Sequence, residues 1–162
     1  MSAAEQDLIQ ALSDEEIGEI EKEITHLNGR KSAAIDALKI VQKHRRYVSD
    51  ESLQAVANLL GMSFAELDGI ATFYNLIFRK PVGEKVILLC DSVSCWIMGG
   101  VDIREKIKSK LQIEMGETTP DDKYTLLPMS CLGDCDHAPA MIVGEDVYRD
   151  LTNERIDEIF DE

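Results

Sequence analysis

Apolar residues recur every third or fourth position through the first half of the chain, and the rhythm changes in the second half. Ile17, Ile20, Ile24 and Leu27 form one helical stripe. It opens at Ser13-Asp-Glu-Glu16, a capping box in which the serine and the glutamate satisfy orphan N–H groups reciprocally, and it closes at Asn28-Gly29. A second helix is predicted from about Ser32 to His44, with Ala34, Leu38 and Val41 on one face. A third follows Ser49-Asp50, carries Leu53, Val56, Ala57 and Leu60, and stops at Gly61. Ser63-Phe-Ala-Glu66 is another capping box and starts a fourth helix bearing Leu67, Ile70, Ala71 and Tyr74. Amphipathic helices with short connections make a bundle.

Pro81-Val-Gly83 punctuates the chain, and strand formers follow. Val86-Ile-Leu-Leu89 is predicted as a strand delivering Cys90, and Trp96 to about Leu111 as a helix with Ile103, Ile107 and Leu111 on one face. After the acidic, proline-broken loop Glu117–Asp122, Tyr124-Thr-Leu-Leu127 makes a second strand that delivers Cys131. Ala140–Val143 and Val147-Tyr148 around Gly144-Glu-Asp146 read as a hairpin, and Thr152 caps a last helix with Ile156, Ile159 and Phe160 inward. The order β-α-β-β-α predicts an α/β sandwich with a small mixed sheet. The chain as a whole is therefore read as α+β: a helical bundle over residues 1–80, then an α/β domain over 81–162.

Composition narrows the function classes. The 44% hydrophobic share suits a globular chain of 162 residues, with no internal repeat or low-complexity segment. Seventeen basic residues against 31 acidic ones give a net charge of −14, which provides no footprint for nucleic acid or for an anionic membrane surface. No apolar run approaches the roughly 18 residues of a membrane span, so no direct membrane insertion is expected. The N-terminus, Met1-Ser-Ala-Ala-Glu-Gln-Asp7, has neither the basic nor the apolar region of a signal peptide, and a cytoplasmic location is expected. Nucleophile elbows, zinc-protease helices, P-loops and dinucleotide fingerprints are all missing from the sequence.

The candidate chemistry lies in four cysteines, in the pairs Cys90-Asp-Ser-Val-Ser-Cys95 and Cys131-Leu-Gly-Asp-Cys135. A disulfide framework belongs to oxidising compartments and small secreted folds. A thioredoxin-type dithiol needs C-x-x-C, which does not occur here. Structural zinc on four thiolates prefers knuckles of two to four intervening residues, so C-x4-C fits only the loose end of that range and leaves zinc open. A [2Fe–2S] cluster fits better, because four thiolates suffice, two per iron, and both pairs sit just beyond predicted strand ends. Ser92, Ser94, Gly99, Gly100 and Gly133 supply small residues that let N–H groups approach sulfur; each also suits a plain turn.

Nearby residues carry two readings each. Trp96 either shields a cluster or anchors its helix. Asp134 and Asp136 would resist adding an electron to a dianionic cluster, or they are simply exposed loop residues. His137 invites a Rieske-like reading, but an exposed or backbone-bonded histidine is preferred where four cysteines complete the site. The basic run Lys39, Lys43, His44, Arg45 and Arg46 is read as a solvated helix end before a partner contact. Phe73, Tyr74 and Phe78 are expected in core packing between the two halves.

These residues resemble a known family, the small [2Fe–2S] subunit of NADH:quinone oxidoreductase, respiratory complex I. Cys-Asp-Ser-Val-x-Cys at 90–95, Cys-Leu-Gly-x-Cys at 131–135, Gly69-Ile-Ala-Thr-Phe-Tyr-Asn-Leu-Ile-Phe78 and Ala37-Leu-Lys-Ile-Val-Gln-Lys43 carry the likeness, which runs from about residue 15 to the C-terminus. The resemblance implies a thioredoxin-like fold for residues 81–162 and one [2Fe–2S] cluster on Cys90, Cys95, Cys131 and Cys135, near one end of the sheet. It implies docking on the NADH- and FMN-binding subunit, where both of those ligands reside, and a place among the further peripheral-arm subunits of complex I. In that family the cluster lies off the main wire to quinone and can take an electron from the flavin. The location implied is cytoplasmic, peripheral to the inner membrane through the complex. The chain alone is not expected to be catalytic. Related NAD-linked hydrogenases and formate dehydrogenases carry the same module, and a Zn(Cys)4 partner-binding module is the alternative from another class.

Overall fold

The structure is a computed structural model and describes residues 11–161. The Met1–Asp7 stretch read above for a signal peptide lies outside them. Chain contacts divide into two compact units at Pro81/Val82.

The first unit is helical, and its boundaries follow from its caps. Helix α1 spans Asp14–His26 behind Ser13, α2 spans Ala34–Arg45 after a 3-10 turn at Lys31–Ala33, α3 spans Asp50–Leu60, and α4 spans Phe64–Phe73. Both capping boxes form: Ser13 Oγ accepts from the Glu16 N–H and Ser63 Oγ from the Glu66 N–H, each at 3.2 Å. The Ser63 N–H and hydroxyl, with Lys31, hold the Glu66 carboxyl down to about 2. Gly61 closes α3 at φ +66°, a conformation open to glycine without a Cβ penalty. Inside, Ile20, Leu38, Val41, Leu53, Val56, Leu60 and Leu67 pack into one buried core.

Polar side chains fasten this core at two places. Arg45 donates from Nε and Nη2 to both oxygens of Glu16, at 2.7 and 2.6 Å, and also to Ala11 O and Ser52 Oγ. The basic run is thus no solvated helix end throughout, since Arg45 closes on a buried carboxylate and His44 and Lys43 reach Glu19. Gln42 clamps the segment after α4, donating to Leu76 O at 2.8 Å and accepting from the Phe78 N–H at 2.6 Å. Tyr74 does not continue the buried face of α4 as its spacing predicts. It is the C-cap in extended conformation, and both Phe73 and Tyr74 are exposed, edge to face against each other. Their expected place in a core is therefore not what is found.

The second unit is built on a four-stranded mixed sheet of order β2-β1-β3-β4. Strand β1 is Lys85–Cys90, β2 Tyr124–Met129, β3 Met141–Val143 and β4 Asp146–Tyr148. β1 runs parallel to β2 and antiparallel to β3, and β3 and β4 form a hairpin. Pro128 is tolerated in β2 because that strand lies at the sheet edge, where a missing N–H costs no ladder bond. Helices α5 (Val101–Leu111) and α6 (Asn153–Phe160) supply Ile103, Ile107 and Ile156 to a core with Ile87, Leu89, Leu126, Met141 and Val143.

The predicted helix from Trp96 to Leu111 is interrupted. Val93–Cys95 makes one helical turn, Trp96–Gly100 a π-turn with non-helical Met98 and Gly99 (φ +94°), and regular α-helix begins only at Val101. The glycine pair causes the break. Gly99 adopts a φ that L side chains avoid, and a Cβ on Gly100 would stand 2.6 Å from Cys95 O.

Candidate metal centre

Both cysteine pairs hang from the same end of the sheet. Cys90 is the last residue of β1, its N–H donates to Ala140 O at 3.2 Å, and it lies opposite Met129 at the end of β2. The next residue, Asp91, donates to Met129 O at 2.8 Å, so β1 and β2 stay tied while their loops depart. Cys131 follows two residues after β2, and Cys135 opens a short 3-10 turn ending at His137. All four cysteines are free thiols; Cys90 and Cys95 are buried, Cys131 and Cys135 exposed.

The two loops converge. Burial pushes the Cys90 thiol up, but the Cys95 thiol and the N–H groups of Ser92 and Leu132 outweigh it and hold Cys90 below the usual cysteine value. Leu132 belongs to the second loop, so its N–H reaches across to the first. Cys95 moves the other way, to about 11, through burial and then through the Cys90 thiol, with Cys135 adding repulsion. The second loop thus lies near enough for Cys135 to be felt at Cys95. Its remaining support is the Ala140 N–H, while the Gly133 N–H points at Cys131 Sγ at 3.3 Å. Gly133 at φ +78° turns that N–H inward. Leu132 and Ala138 pack on Cys90 and Cys95 and cover them from solvent.

This donor set suits a cluster with anionic sulfur. Backbone N–H groups aimed at sulfur stabilise thiolate ligands and add no competing charge. Ser92 Oγ is buried between the first two cysteines, and its hydroxyl faces the Cys90 sulfur, which it helps to hold below the usual cysteine value. A buried hydroxyl needs an acceptor, and a thiolate on Cys90 would be a better one than the thiol.

The other residues read from the sequence fall out as follows. Trp96 is 63% exposed, so it neither shields the thiols nor anchors a helix core. Asp136 is an exposed loop residue, whereas Asp134 is neutralised by an ion pair to Arg149. His137 is half exposed, and its Nδ1 lies 3.1 Å from Asp150. Among the described residues, three or more candidate ligand atoms come within 4.8 Å of one another only at Asp134, Asp136 and His137. Arg149 and Asp150 already engage two of that trio, which gives it a structural account without an ion. Sequence reasoning missed the contributions of Leu132, Ala138 and Ala140. Apolar residues signal packing, and nothing in their identity marks their backbone as facing sulfur.

Gly100 is the residue on which this geometry depends most tightly. Gly100→Ala is expected to displace the Cys95 turn, costing about 1–3 kcal/mol and lowering the cluster content of the purified protein. Gly99→Ala meets open space and pays only the positive-φ strain of about 1 kcal/mol. Thermal melts together with iron content of the two variants check this difference.

Comparison with known proteins agrees with this arrangement. The family model for thioredoxin-like [2Fe–2S] ferredoxins matches residues 20–162. The E-type subunit of NADH-quinone oxidoreductase from Buchnera aphidicola subsp. Acyrthosiphon pisum (strain APS) is 46% identical over 145 residues, covering 90% of each chain. Its counterpart from Escherichia coli (strain K12) is 46% identical over 150 residues, covering 93% of this chain and 90% of its own. The crystal structure of NAD+-reducing [NiFe]-hydrogenase in the H2-reduced state superposes at a TM-score of 0.66 with 22% identity over 76% of this chain. The chain spans only 21% of that hydrogenase chain, and the likeness is one of fold. Matched along almost its whole length, the chain belongs to the thioredoxin-like [2Fe–2S] ferredoxin family, with the E-type subunits of NADH-quinone oxidoreductase as its relatives.

Proposed function

We propose that this chain is the electron-carrying E-type subunit of an NADH-quinone oxidoreductase, and that Cys90, Cys95, Cys131 and Cys135 hold one [2Fe–2S] cluster. The observation that carries the reading is the convergence of the two cysteine loops, with N–H groups from Ser92, Leu132, Ala140 and Gly133 directed at sulfur. When bound, the cluster supplies a one-electron donor and acceptor, here for the FMN of the neighbouring NADH-binding subunit. The chain's own part is to supply thiolates, set the hydrogen bonds to them and keep water from Cys90 and Cys95 through Leu132 and Ala138. NADH and FMN belong to the partner in this reading, and other peripheral-arm subunits complete the assembly. No helix among the described residues is long and apolar enough to cross a membrane, which fits attachment to the membrane through the complex.

The zinc alternative would use the same four thiolates, drawn to about 3.8 Å of one another by zinc–sulfur bonds of about 2.3 Å. A [2Fe–2S] rhomb asks only for pairs, two thiolates per iron, and the Cys90 and Cys95 thiols in hydrogen-bond contact form one such pair.

The test is an anaerobic preparation assayed for iron, sulfide and zinc, with EPR before and after dithionite. About two irons and two sulfides per chain are expected, silent when oxidised and giving one rhombic S = 1/2 signal when reduced. Equimolar zinc without sulfide, and no signal after reconstitution, would sink the electron-transfer reading.

A further inference from the structure

From Cys131 to Asp150 the sequence carries five carboxylates, Asp134, Asp136, Glu145, Asp146 and Asp150, against one arginine and no lysine. That arginine, Arg149, follows directly on β4, and its Nε donates to Asp134 Oδ2. Asp134 stands between the two cysteines of the second pair and immediately before Cys135. The single arginine of this stretch is therefore engaged by the carboxylate closest in sequence to the sulfurs.

We propose that Arg149 sets the reduction potential of the centre by masking the charge of Asp134 beside Cys135. The inference rests on the function proposed above and adds a residue that controls how readily the centre accepts an electron.

Burial singles out Asp134. Its side chain is 19% exposed, whereas that of Asp136 is 83% exposed and screened by water. Consecutive Cα atoms are about 3.8 Å apart, which keeps the Asp134 carboxylate within about 10 Å of the Cys135 sulfur, roughly one Debye length at 0.1 M salt. A bare carboxylate there would oppose the arrival of an electron on a centre already ringed by thiolates. A guanidinium keeps its proton at every pH at which the protein is folded, so the mask is constant. The first loop has no equally close pair. Asp91 is 59% exposed and meets Arg104 only at 3.8 Å, and Arg104 also reaches Glu105 at 3.5 Å.

Holding the second loop in place does not require the guanidinium. The Asp150 N–H donates to His137 O and the Leu151 N–H to Pro139 O, each at 3.0 Å. His137 Nδ1 lies 3.1 Å from Asp150 Oδ2. These three contacts fasten the segment after β4 to the segment after Cys135. An ion pair with one partner half exposed adds little further stability. What Arg149 brings is charge.

The experiment is a redox titration of the full chain carrying its cluster, followed by EPR, with every variant at one pH. Arg149→Gln is expected to shift the reduction equilibrium about fivefold towards the oxidised form, a fall of ~40 mV at 59 mV per tenfold for one electron. Asp134→Asn should shift it about threefold the other way, less because the freed guanidinium is half exposed. Arg149→Lys keeps the charge and Asp134→Asn/Arg149→Gln removes both, so each should lie within about twofold of the wild type. Raising the salt from about 0.01 to 1 M shortens the Debye length from ~30 to ~3 Å and should shrink both single-variant shifts. Iron content and melting temperature should stay as in the wild type.

Opposite shifts that cancel in the double variant support the proposal, because loosening the loop would move both single variants the same way. An unchanged potential in both single variants overturns it. Loss of the cluster from Arg149→Gln and the double variant alike makes the pair a fastening and overturns it too. Where Arg149→Gln alone loses the cluster, Asp134→Asn decides: a raised potential upholds the proposal and an unchanged one overturns it. A wild type without iron and sulfide brings down the underlying function itself and is recognised before any variant is made.

Discussion

Cys131→Ala and Cys135→Ala are expected to lose the cluster and keep the fold, whereas Cys90→Ala and Cys95→Ala are expected to damage both. The burial of the four thiols sets this difference. Cys131 and Cys135 are exposed on a loop beyond β2, where truncation to alanine leaves no cavity. Cys90 and Cys95 are 6 and 2% exposed and pack with Leu132 and Ala138. Removing a buried sulfur there forfeits about 1 kcal/mol of packing in addition to the ligand. Each of the four variants should retain under a tenth of the wild-type iron and sulfide and lack the reduced-state EPR signal. Thermal melts should place Cys131→Ala and Cys135→Ala with cluster-free wild type, and Cys90→Ala and Cys95→Ala several degrees below it. If one exposed cysteine could be removed with iron and sulfide unchanged, the four-thiolate assignment would fail.

Much of this was legible in the sequence because the signals are local. The Ser13 and Ser63 capping boxes fix helix starts within four residues, and Gly61 marks its stop through a backbone conformation that side chains disfavour. Strands β1 and β2 and the alternation of Ile87 and Leu89 announce a sheet whose ends deliver cysteines. Tyr74 and the helix predicted from Trp96 failed for a common reason. Apolar periodicity continues past the point where the backbone stops being helical, and an exposed aromatic looks the same as a buried one in a linear pattern. Gly99-Gly100 was the available sign that the helix breaks, and it names the place without the geometry.

Contacts between distant positions were the part that no pattern carries. Gln42 reaches the segment at 76–78, Leu132 sends its N–H to Cys90, and Arg45 finds Glu16 across 29 positions. Each pairing depends on how the elements pack, which is settled by the core as a whole. In the basic run Lys39–Arg46, five basic residues stand close together, yet only Arg45 closes on a buried carboxylate. Charge type places a residue at the helix end; the α1–α2 packing selects which one turns inward.

That pair carries the other large effect. Arg45→Met is expected to destabilise the helical unit by about 3 kcal/mol, the lower end for breaking a buried ion pair because the guanidinium side remains partly exposed. The loss comes chiefly from Glu16, a 1% exposed residue left with a carboxylate that only Ser13 still serves, through its N–H and its hydroxyl. Adding Glu16→Gln to Arg45→Met removes the stranded charge and keeps a residue able to complete the capping box, so the double variant should recover most of that cost. The pH dependence has a definite sign. Burial alone would raise the Glu16 carboxyl, but Arg45 and the Ser13 N–H outweigh it and hold the folded-state value below the ordinary 4.5. The pair's contribution is therefore fully present above about 4.5 and is lost as pH falls through the lower folded-state value. In Arg45→Met only burial and the cap remain, so the carboxyl takes up its proton at higher pH and the variant sheds part of its penalty on acidification. Denaturant titrations at pH 7 and pH 4 should show the gap between wild type and Arg45→Met narrowing towards acid. A gap that stayed the same at both pH values would mean that Arg45 stabilises the unit through its bonds to Ala11 O and Ser52 Oγ, with Glu16 a bystander.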